Sequence, residues 1–224
     1  MSTIISIDGN IGSGKSTILT CLKSFFNNKK DIIFLDEPVS EWEKIKDKDK
    51  VTILEKFYNN QSKYSFAFQM MAYISRLSLL KDAIEKNPNA IIITERCLNT
   101  DRYVFSKMLY DSGKLEDIEY QIYLKWFDNF NYLQNIHKTI YLKTDPDICY
   151  KRINKRSREG ESKISLEYLE NCDKYHEDMI NNIIKENCLV IDSNIDIFEN
   201  KEINDFWLES IEKFIYNNDT TNQL

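Results

Sequence analysis

The chain has 224 residues, of which 42% are hydrophobic and 12% aromatic, enough to build the core of one α/β domain and too apolar for a disordered chain. Its net charge is −6 at pH 7 and its 30 basic residues are dispersed, which argues against binding of nucleic acid polymers through bulk charge. The five cysteines are an odd number without a Cys-x-x-Cys pair, which argues against a disulfide framework or a zinc site, and no apolar run approaches the roughly 20 residues that span a bilayer.

Five short apolar runs punctuate the chain, and we expect each to form a buried strand: residues 3–8, 31–36, 90–94, 138–143 and 188–192. They lack clean polar–apolar alternation, as is typical of strands that helices cover on both faces. Apolar residues three or four apart predict helices between them, at 15–26, 51–60, 62–86, 115–135 and 165–187, with a short one that begins at 145–146. We predict an α/β fold with a five-stranded parallel sheet in a single domain, residues 1–216, followed by a frayed polar tail, 217–224.

The first predicted strand runs into a glycine-rich loop. Residues 9–16 read Gly-Asn-Ile-Gly-Ser-Gly-Lys-Ser, the G-x-x-x-x-G-K-S pattern of a phosphate-binding loop, and a helix-like segment follows. In such a loop Lys15 reaches the β- and γ-phosphates of a nucleoside triphosphate, and the Ser16 hydroxyl ligates Mg²⁺. The residues predicted to hold the nucleotide are Gly9, Asn10, Ile11, Gly12, Ser13, Gly14, Lys15, Ser16 and Thr17.

Charged residues follow the next two strands at their carboxyl ends, where ligands of a doubly wound sheet bind. The second strand ends in Asp36-Glu37-Pro38, and the third ends in Glu95-Arg96 with Asp101 shortly after. A single acidic residue after a strand is as often a helix cap as a functional group. Several charged groups at the same edge as a phosphate-binding loop favour a site.

A basic run, Lys151 to Arg158, follows the fourth strand. Most charge runs are solvated faces. Here Arg152 and Arg156 lie on one helical face, Arg158 comes just beyond, and a polar stretch follows. We interpret residues 152–163 as an arginine-rich lid, because transferred phosphoryl oxygens require cations.

The chain resembles the deoxyribonucleoside kinases of the deoxycytidine, deoxyguanosine and deoxyadenosine kinase type over nearly its whole length, about Ile4 to Ile215. Besides the loop and the lid, the motifs that carry the resemblance are Glu37-Pro38-Val39 with Trp42, Phe68-Gln69, Ser75-Arg76, Glu95-Arg96, Asp101-Arg102-Tyr103 and Leu166-Glu167-Tyr168-Leu169. The resemblance implies the P-loop kinase fold, a homodimer, and transfer of the ATP γ-phosphate, with Mg²⁺, to the 5′-OH of a deoxynucleoside in nucleotide salvage.

The resemblance also implies catalytic roles. Glu37 would be the general base for the 5′-OH, Arg96 would hold Glu37 and the 5′-oxygen in line, and Glu95 would organise Mg²⁺ alongside Ser16. Lys15 would neutralise charge on the phosphoryl group in flight. The lid arginines expected to assist it are Arg152, Arg156 and Arg158, of which Arg156 would also contact ATP.

Further residues are expected to bind the nucleoside. Tyr58 and Glu161 match positions that grip the sugar 3′-OH in the family, and Gln69 offers a carboxamide that suits a base edge. Trp42 and Phe105 match positions that flank the base, although ordinary core packing would explain both equally well. The expected substrate-binding set is Glu37, Trp42, Tyr58, Gln69, Arg76, Arg96, Asp101, Phe105 and Glu161.

Base preference is predicted from Arg76 and Asp101. Members of the family that take purine deoxynucleosides or deoxycytidine carry such a pair, whereas thymidine-preferring members generally lack it. A structural salt bridge is the alternative interpretation. Because Ala72 leaves room for a larger base, we predict purine deoxynucleosides, with guanine and adenine unresolved and deoxycytidine as a further substrate. The run Cys97-Leu98-Asn99-Thr100 departs from the small-residue pattern of the animal enzymes.

Two other functions remain open. A nucleoside monophosphate kinase would share the loop and the lid, but a carboxylate at Glu37 would repel its acceptor phosphate. A non-catalytic nucleotide switch would not require a base and a sugar-binding set. We expect small nucleosides and nucleotides as partners, no metal besides Mg²⁺, and, from the unpaired cysteines and the lack of a signal-peptide pattern, a cytoplasmic location. His137 and His176 are assigned structural roles.

Overall fold

A parallel sheet carries the predicted site residues of this protein. The computed structural model describes residues 2–130, 136–158, 160–184, 187–197, 200–216 and 222–223. The predicted apolar runs form strands β1 to β5, which are Thr3–Gly9, Ile32–Leu35, Ile91–Glu95, Lys138–Lys143 and Cys188–Asp192. Their order is β2-β3-β1-β4-β5, and every neighbouring pair is parallel. The predicted α/β fold with its five-stranded parallel sheet is therefore confirmed.

Helices cover the sheet on both faces. They are α1 Lys15–Phe25, α2 Val39–Trp42, α3 Ile53–Asn59, α4 Gln61–Lys86, α5 Lys107–Asp111, α6 Asp117–Asn129, α7 Pro146–Arg156, α8 Leu166–Met179 and α9 Lys201–Tyr216. The π-helical segments Thr100–Ser106 and Ile180–Ile184 adjoin α5 and α8, and a 3₁₀ turn spans Glu161–Lys163. None of the helices in the described residues combines the length and the apolar character that a membrane crossing requires.

Helix starts follow from local side-chain chemistry. The side chains of Thr52, Asn60 and Ser165 accept hydrogen bonds from backbone N–H groups in the first turns of α3, α4 and α8. Each cap satisfies a donor that has no partner within its helix. Helix α7 begins at Pro146, whose fixed φ suits a first helical position.

The structure differs from the predicted elements in several places. Helix α6 ends at Asn129, earlier than predicted, and residues 131–135 lie outside the described part. Helix α9 and the helical segment 100–111 were not predicted. Within the predicted frayed tail, Asn222–Gln223 forms a short strand, β6, that pairs in parallel with β5. This pairing is possible because an edge strand such as β5 offers unpaired backbone groups. The other residues of the tail lie outside the described part.

The core consists of one apolar layer on each face of the sheet. On one face Ile5 and Ile7 pack with apolar residues of α1 and α9. On the other face Ile4 and Ile92 pack with apolar residues of α4 and α6, including Tyr73. Burial on both faces explains why these strands are continuously apolar.

Candidate active site

A cavity of about 520 Å³ opens at the carboxyl ends of β1, β2 and β3, a size typical of small-molecule sites. Nineteen of the predicted site residues line it: Ile11, Gly12, Gly14, Lys15, Ser16, Thr17, Glu37, Trp42, Tyr58, Gln69, Arg76, Glu95, Arg96, Asp101, Phe105, Arg152, Arg156, Arg158 and Glu161. The remaining three, Gly9, Asn10 and Ser13, are buried in the same glycine-rich loop. Residues that are distant in sequence thus meet at one place.

The glycine-rich loop needs its glycines because it packs tightly against neighbouring backbone. A Cβ at Gly12 would lie 2.7 Å from the Cys149 carbonyl oxygen on α7, and the φ of Gly12 is +83°. The Asn10 amide donates to the Leu169 carbonyl over 2.8 Å, while its oxygen accepts from the Ile11 N–H over 2.8 Å. These contacts hold the loop between β1 and the two helices α7 and α8.

Lys15 is buried inside the loop that carries it. Its Nζ donates to the carbonyl oxygens of Asn10 and Gly9 at 2.6 and 3.1 Å. Burial, and then the positive charge of Arg96, lower the pKa of Lys15 to about 7. The ammonium group is therefore only partly charged at neutral pH, and phosphate oxygens would favour its charged form.

Glu37 lies at the centre of a charged network. Its Oε1 accepts from Arg76 Nη2 at 3.0 Å and is 3.3 Å from Arg96 Nε. Burial alone would raise the pKa of Glu37, but the positive charges of Arg96, Arg76 and Lys15 outweigh it and lower the pKa to about 2. Glu37 is therefore ionised at neutral pH and faces the cavity as an acceptor.

Arg96 adopts a backbone conformation that is unusual for a residue with a side chain. Its φ is +65°, in the left-handed region, where strain clusters at functional sites. The Arg96 N–H donates to the Ile7 carbonyl at 2.9 Å, and Nη1 donates to the Gly9 carbonyl at 2.9 Å. This turn directs the guanidinium group back across the end of β1 toward Glu37.

Arg76 and Asp101 form a buried ion pair at the cavity wall. Arg76 Nε donates to Asp101 Oδ2 over 2.9 Å, and Nη1 donates to the Glu95 carbonyl over 2.9 Å. Burial raises the pKa of Asp101, although Arg76 opposes that shift. Arg76 also contacts Glu37, so one guanidinium connects the predicted base-recognition pair to the predicted catalytic carboxylate.

Two oxygen groups beside the loop fit a magnesium ion. Ser16 Oγ donates to Glu95 Oε1 over 2.7 Å, which brings a hydroxyl and a carboxylate together at the start of α1. Mg²⁺ prefers such oxygen ligands and is usually bound by one or two carboxylates together with substrate phosphates. In the described part of the chain, no cluster of three or more acidic, histidine or cysteine side chains offers another metal site.

Aromatic side chains form part of the cavity wall. Trp42 is held by a 2.9 Å hydrogen bond from its Nε1 to Ser75 Oγ, and it meets Phe68 edge-to-face. Gln69, one residue further along α4, accepts a 3.4 Å hydrogen bond from Ser106 Oγ. An aromatic wall with one carboxamide beside it suits the ring of a heterocycle.

The lid residues are engaged within the protein. Arg156 Nη2 and Arg158 Nη1 both donate to Glu161, at 2.6 and 3.3 Å. Arg152 instead donates to the backbone carbonyls of Ser193 and Ile195, at 2.9 and 3.2 Å. Arg156 and Arg158 thus lie together at one end of the lid, whereas Arg152 binds the segment that follows β5.

Sequence reasoning did not single out part of the cavity wall. The cavity is also lined by Tyr168, which carried part of the resemblance without an assigned role, and by Lys155, Ser193, Ile195, Asp196, Ile197 and Trp207. Ser193 comes directly after β5, so the strand-end rule, applied to the fifth strand, would have found it. Its contacts with Arg152 run through backbone carbonyls, which leave no trace in the sequence.

A parallel sheet with a phosphate-binding loop at its carboxyl edge defines the class of P-loop nucleotide-binding proteins. Within this class, residues 5–216 match the deoxynucleoside kinase family model. The match covers most of the chain, which therefore belongs to the deoxynucleoside kinase family.

Curated relatives are named for different nucleosides. The chain is 34% identical to mitochondrial thymidine kinase 2 of Homo sapiens over 180 residues, covering 80% of this chain and 64% of that protein. It is 36% identical to a probable deoxycytidine kinase of fowlpox virus over 176 residues, covering 77% and 69%. It is 29% identical to deoxycytidine kinase 1 of Xenopus laevis over 240 residues, covering 94% and 89%. The match therefore spans less than two thirds of the human protein.

Proposed function

We propose that this protein transfers the γ-phosphate of ATP to the 5′-OH of a deoxynucleoside, in nucleotide salvage. The observation that carries the proposal is the Glu37 carboxylate, which lies between Arg76 and Arg96 beside the phosphate-binding loop. A carboxylate in contact with the cavity can act as the general base for a hydroxyl acceptor. Membership of the deoxynucleoside kinase family supports the same reaction.

In the proposed mechanism, Glu37 accepts the proton of the 5′-OH while Arg96 keeps the carboxylate oriented. A carboxylate whose pKa is about 2 is a weak base. It suffices because phosphoryl transfer passes through a loose transition state, in which the hydroxyl proton is lost late. Lys15 and the lid residues Arg152, Arg156 and Arg158 neutralise charge on the transferred group. Mg²⁺ held near Ser16 and Glu95 would neutralise charge on the β- and γ-phosphate oxygens.

We infer that the acceptor is a purine deoxynucleoside, deoxyguanosine or deoxyadenosine, with deoxycytidine as a further substrate. Asp101 lies on the cavity wall, where a carboxylate oxygen would accept a hydrogen bond from an exocyclic amino group. Arg76 would donate to a ring nitrogen or carbonyl of the same base. Thymine has no exocyclic amino group, and Ala72 leaves room for a second ring.

The experiment that tests the reaction is phosphorylation by ATP and Mg²⁺ of the four natural deoxynucleosides, with dGMP and dTMP as competing acceptors. We expect turnover of deoxynucleosides, with purines preferred, and no turnover of monophosphates. Turnover confined to monophosphates would instead identify a nucleoside monophosphate kinase.

Glu37→Gln tests the proposed base within the same assay. The amide keeps the shape of the side chain but accepts no proton, so kcat should fall by about 10²–10⁴. ATP binding, measured by calorimetry, should change little, because Glu37 lies on the acceptor side. In the wild type, Glu37 should produce no acid limb in kcat/KM above about pH 4, since its pKa is about 2. Unchanged turnover in the variant would exclude Glu37 as the base.

We also propose that the protein is a cytoplasmic homodimer. All five cysteines are unpaired, which suits a reducing compartment. Ile118, Ile122 and Trp126 lie at successive turns of α6 and are 69%, 41% and 47% exposed. An apolar helical face of this kind is typical of a surface that a second copy covers.

A further inference from the structure

His176 lies on α8 directly behind Arg96 and is wholly buried. Its Nδ1 is 2.7 Å from the carbonyl oxygen of Cys172, one turn earlier on the same helix. Its Nε2 is 3.4 Å from Arg96 Nη1. The ring therefore connects the backbone of α8 to the guanidinium group that flanks Glu37.

The two contacts define which ring nitrogen carries hydrogen. A carbonyl oxygen only accepts hydrogen bonds, so Nδ1 must donate to Cys172. Burial, and then the nearby charge of Arg96, lower the pKa of His176 well below its usual value, so the ring is neutral. A neutral ring protonated at Nδ1 has a lone pair at Nε2, and this lone pair can accept from Arg96.

Aromatic neighbours prevent the ring from turning. Tyr141 stacks on His176 with the ring centroids 6.4 Å apart and the planes at 20°, and Phe105 meets it edge-on at 6.0 Å. Phe105 also lies under the guanidinium group, with Arg96 Cζ 4.9 Å from its ring centroid. Arg96 is therefore held by the Gly9 carbonyl, by Phe105 and by His176, and its remaining side faces Glu37.

A neutral acceptor suits this position better than a carboxylate would. An acidic side chain behind Arg96 would form a second ion pair and compete with Glu37 for the guanidinium charge. An imidazole lone pair orients the guanidinium and leaves that charge available to Glu37 and to the oxygen atoms of the acceptor.

We propose that His176 is a positioning residue, which holds Arg96 in the orientation that aligns Glu37 and the acceptor hydroxyl. The proposal rests on the proposed deoxynucleoside kinase activity. A guanidinium displaced by about 1 Å would misalign the reacting groups, and displacements of that size cost up to about a hundredfold in rate.

Two substitutions separate this role from simple packing. His176→Asn keeps a donor near the Nδ1 position, toward Cys172, but is too short to reach Arg96. His176→Gln loses the Cys172 contact but places an amide oxygen near the Nε2 position. We expect His176→Asn to lower kcat about tenfold or more, with KM for the deoxynucleoside changed less than about threefold, and His176→Gln to keep most of the activity. The matched control is His137→Asn, because His137 accepts from the Ile4 N–H and does not line the cavity; its kcat should equal that of the wild type.

The ranking of the two variants decides the outcome. A higher kcat for His176→Gln than for His176→Asn, with similar melting temperatures, supports the positioning role. An equal or reversed ranking overturns it. If His176 only stabilised α8 through its Cys172 contact, His176→Asn, which keeps that contact, would be at least as active as His176→Gln, which loses it. If the wild-type protein phosphorylates no deoxynucleoside, the proposed function fails, and the tautomer measurement below still decides whether His176 can hold Arg96.

The tautomer can be measured without an activity assay. Long-range ¹H–¹⁵N correlation spectra of the wild type contain two histidine rings, which His137→Asn assigns. We expect the ring of His176 to stay neutral, with its single hydrogen on Nδ1, between pH 5 and pH 9. Burial and the positive charges of Arg96 and Lys15 disfavour the addition of a second proton. A hydrogen on Nε2 would overturn the proposal, because that nitrogen could not then accept from Arg96.

Discussion

Lys15 should couple proton binding to the proposed binding of nucleotide. Its pKa is about 7 in the protein without nucleotide, because burial and Arg96 disfavour the charged form. A triphosphate beside the ammonium group would favour that form and raise the pKa again. ATP binding above pH 7 should therefore take up a proton, and affinity should fall as the pH rises through about 7, by up to tenfold per unit.

Calorimetry at pH 8, in buffers of different ionisation enthalpy, measures this uptake directly. Phosphate monoesters have lost their second proton well below that pH, at about 6, so the nucleotide itself contributes little. We expect close to one proton per ATP in the wild type and none in Lys15→Met. A wild-type value near zero would show that Lys15 is already charged before ATP binds.

Asp101→Asn distinguishes base recognition from a structural salt bridge. The substitution keeps the size of the side chain and removes its charge, while Arg76 keeps Glu37 and the Glu95 carbonyl as partners. The free energy of unfolding should fall by about 1–3 kcal/mol, less than when a buried charge loses its only partner. The ratio of kcat/KM for deoxyguanosine or deoxyadenosine to that for thymidine should also fall, by about tenfold or more.

Asp128→Asn is the matched control for that experiment. It removes a charge that pairs with Arg102 at 2.8 Å, but the Asp128 side chain is 64% exposed. The free energy of unfolding should change by no more than about 0.5 kcal/mol, and the ranking of the deoxynucleosides by kcat/KM should stay the same. If Asp101→Asn destabilises the protein without changing the ranking, the Arg76–Asp101 pair is structural.

At the scale of elements, the phosphate-binding loop depends on its contact with α7. In Gly12→Ala the new methyl group would meet the Cys149 carbonyl at 2.7 Å, and the positive φ would add strain. Gly113→Ala has a similar φ, +68°, with nothing within 4 Å of the new methyl group, so it isolates the strain, about 1–2 kcal/mol. We expect Gly12→Ala to lower the free energy of unfolding by about 2 kcal/mol more than Gly113→Ala does, and also to weaken ATP binding.

Denaturant unfolding and ATP titration of both variants measure these costs. Gly113→Ala should bind ATP as the wild type does, since the cavity lining does not include Gly113. Equal losses of stability in the two variants would mean that α7 moves away from the loop without cost.

The strands could be predicted from sequence more reliably than the helices. Strands covered on both faces require continuous apolar runs, and the short length of these runs distinguishes them from buried helices. Helix α9 was missed although Ile203, Trp207 and Ile211 carry the helical spacing. The π-helical segment Thr100–Ser106 was not predicted either, because no local sequence pattern marks it. It begins at a tertiary contact, the hydrogen bond from Thr100 to the buried Asp8, which a sequence does not reveal.

The lining of the cavity was predictable where charged residues follow a strand end. Glu37 and Arg96 were identified in this way, and both line the cavity. The arrangement around them was not predictable: the left-handed backbone of Arg96 and its contact with His176 depend on chain segments 80 residues apart. His176 therefore received only a structural role from its sequence context.

At the scale of the whole molecule, the exposed apolar face of α6 bears on assembly. Trp126→Glu places a charge on this face and should weaken self-association about a hundredfold or more, so that a dimer becomes a monomer at micromolar concentration. Phe206→Glu on α9, where Phe206 is 53% exposed, is the control and should leave the assembly unchanged. Sedimentation velocity measures both; a wild-type protein that sediments as a monomer would refute the proposed homodimer.

The charged network around Glu37 has a consequence for turnover. Three carboxylates meet three cationic side chains at the inner end of the cavity, namely Glu37, Glu95 and Asp101 with Lys15, Arg76 and Arg96. Because the pKa of Lys15 is about 7, this group carries only part of its charge before nucleotide binds, so the three carboxylates slightly outweigh the three cationic side chains. In the proposed reaction the phosphorylated product would carry about two negative charges next to the Glu37 carboxylate. Repulsion would then favour its departure, so the side chain proposed to begin the reaction would also drive out the product.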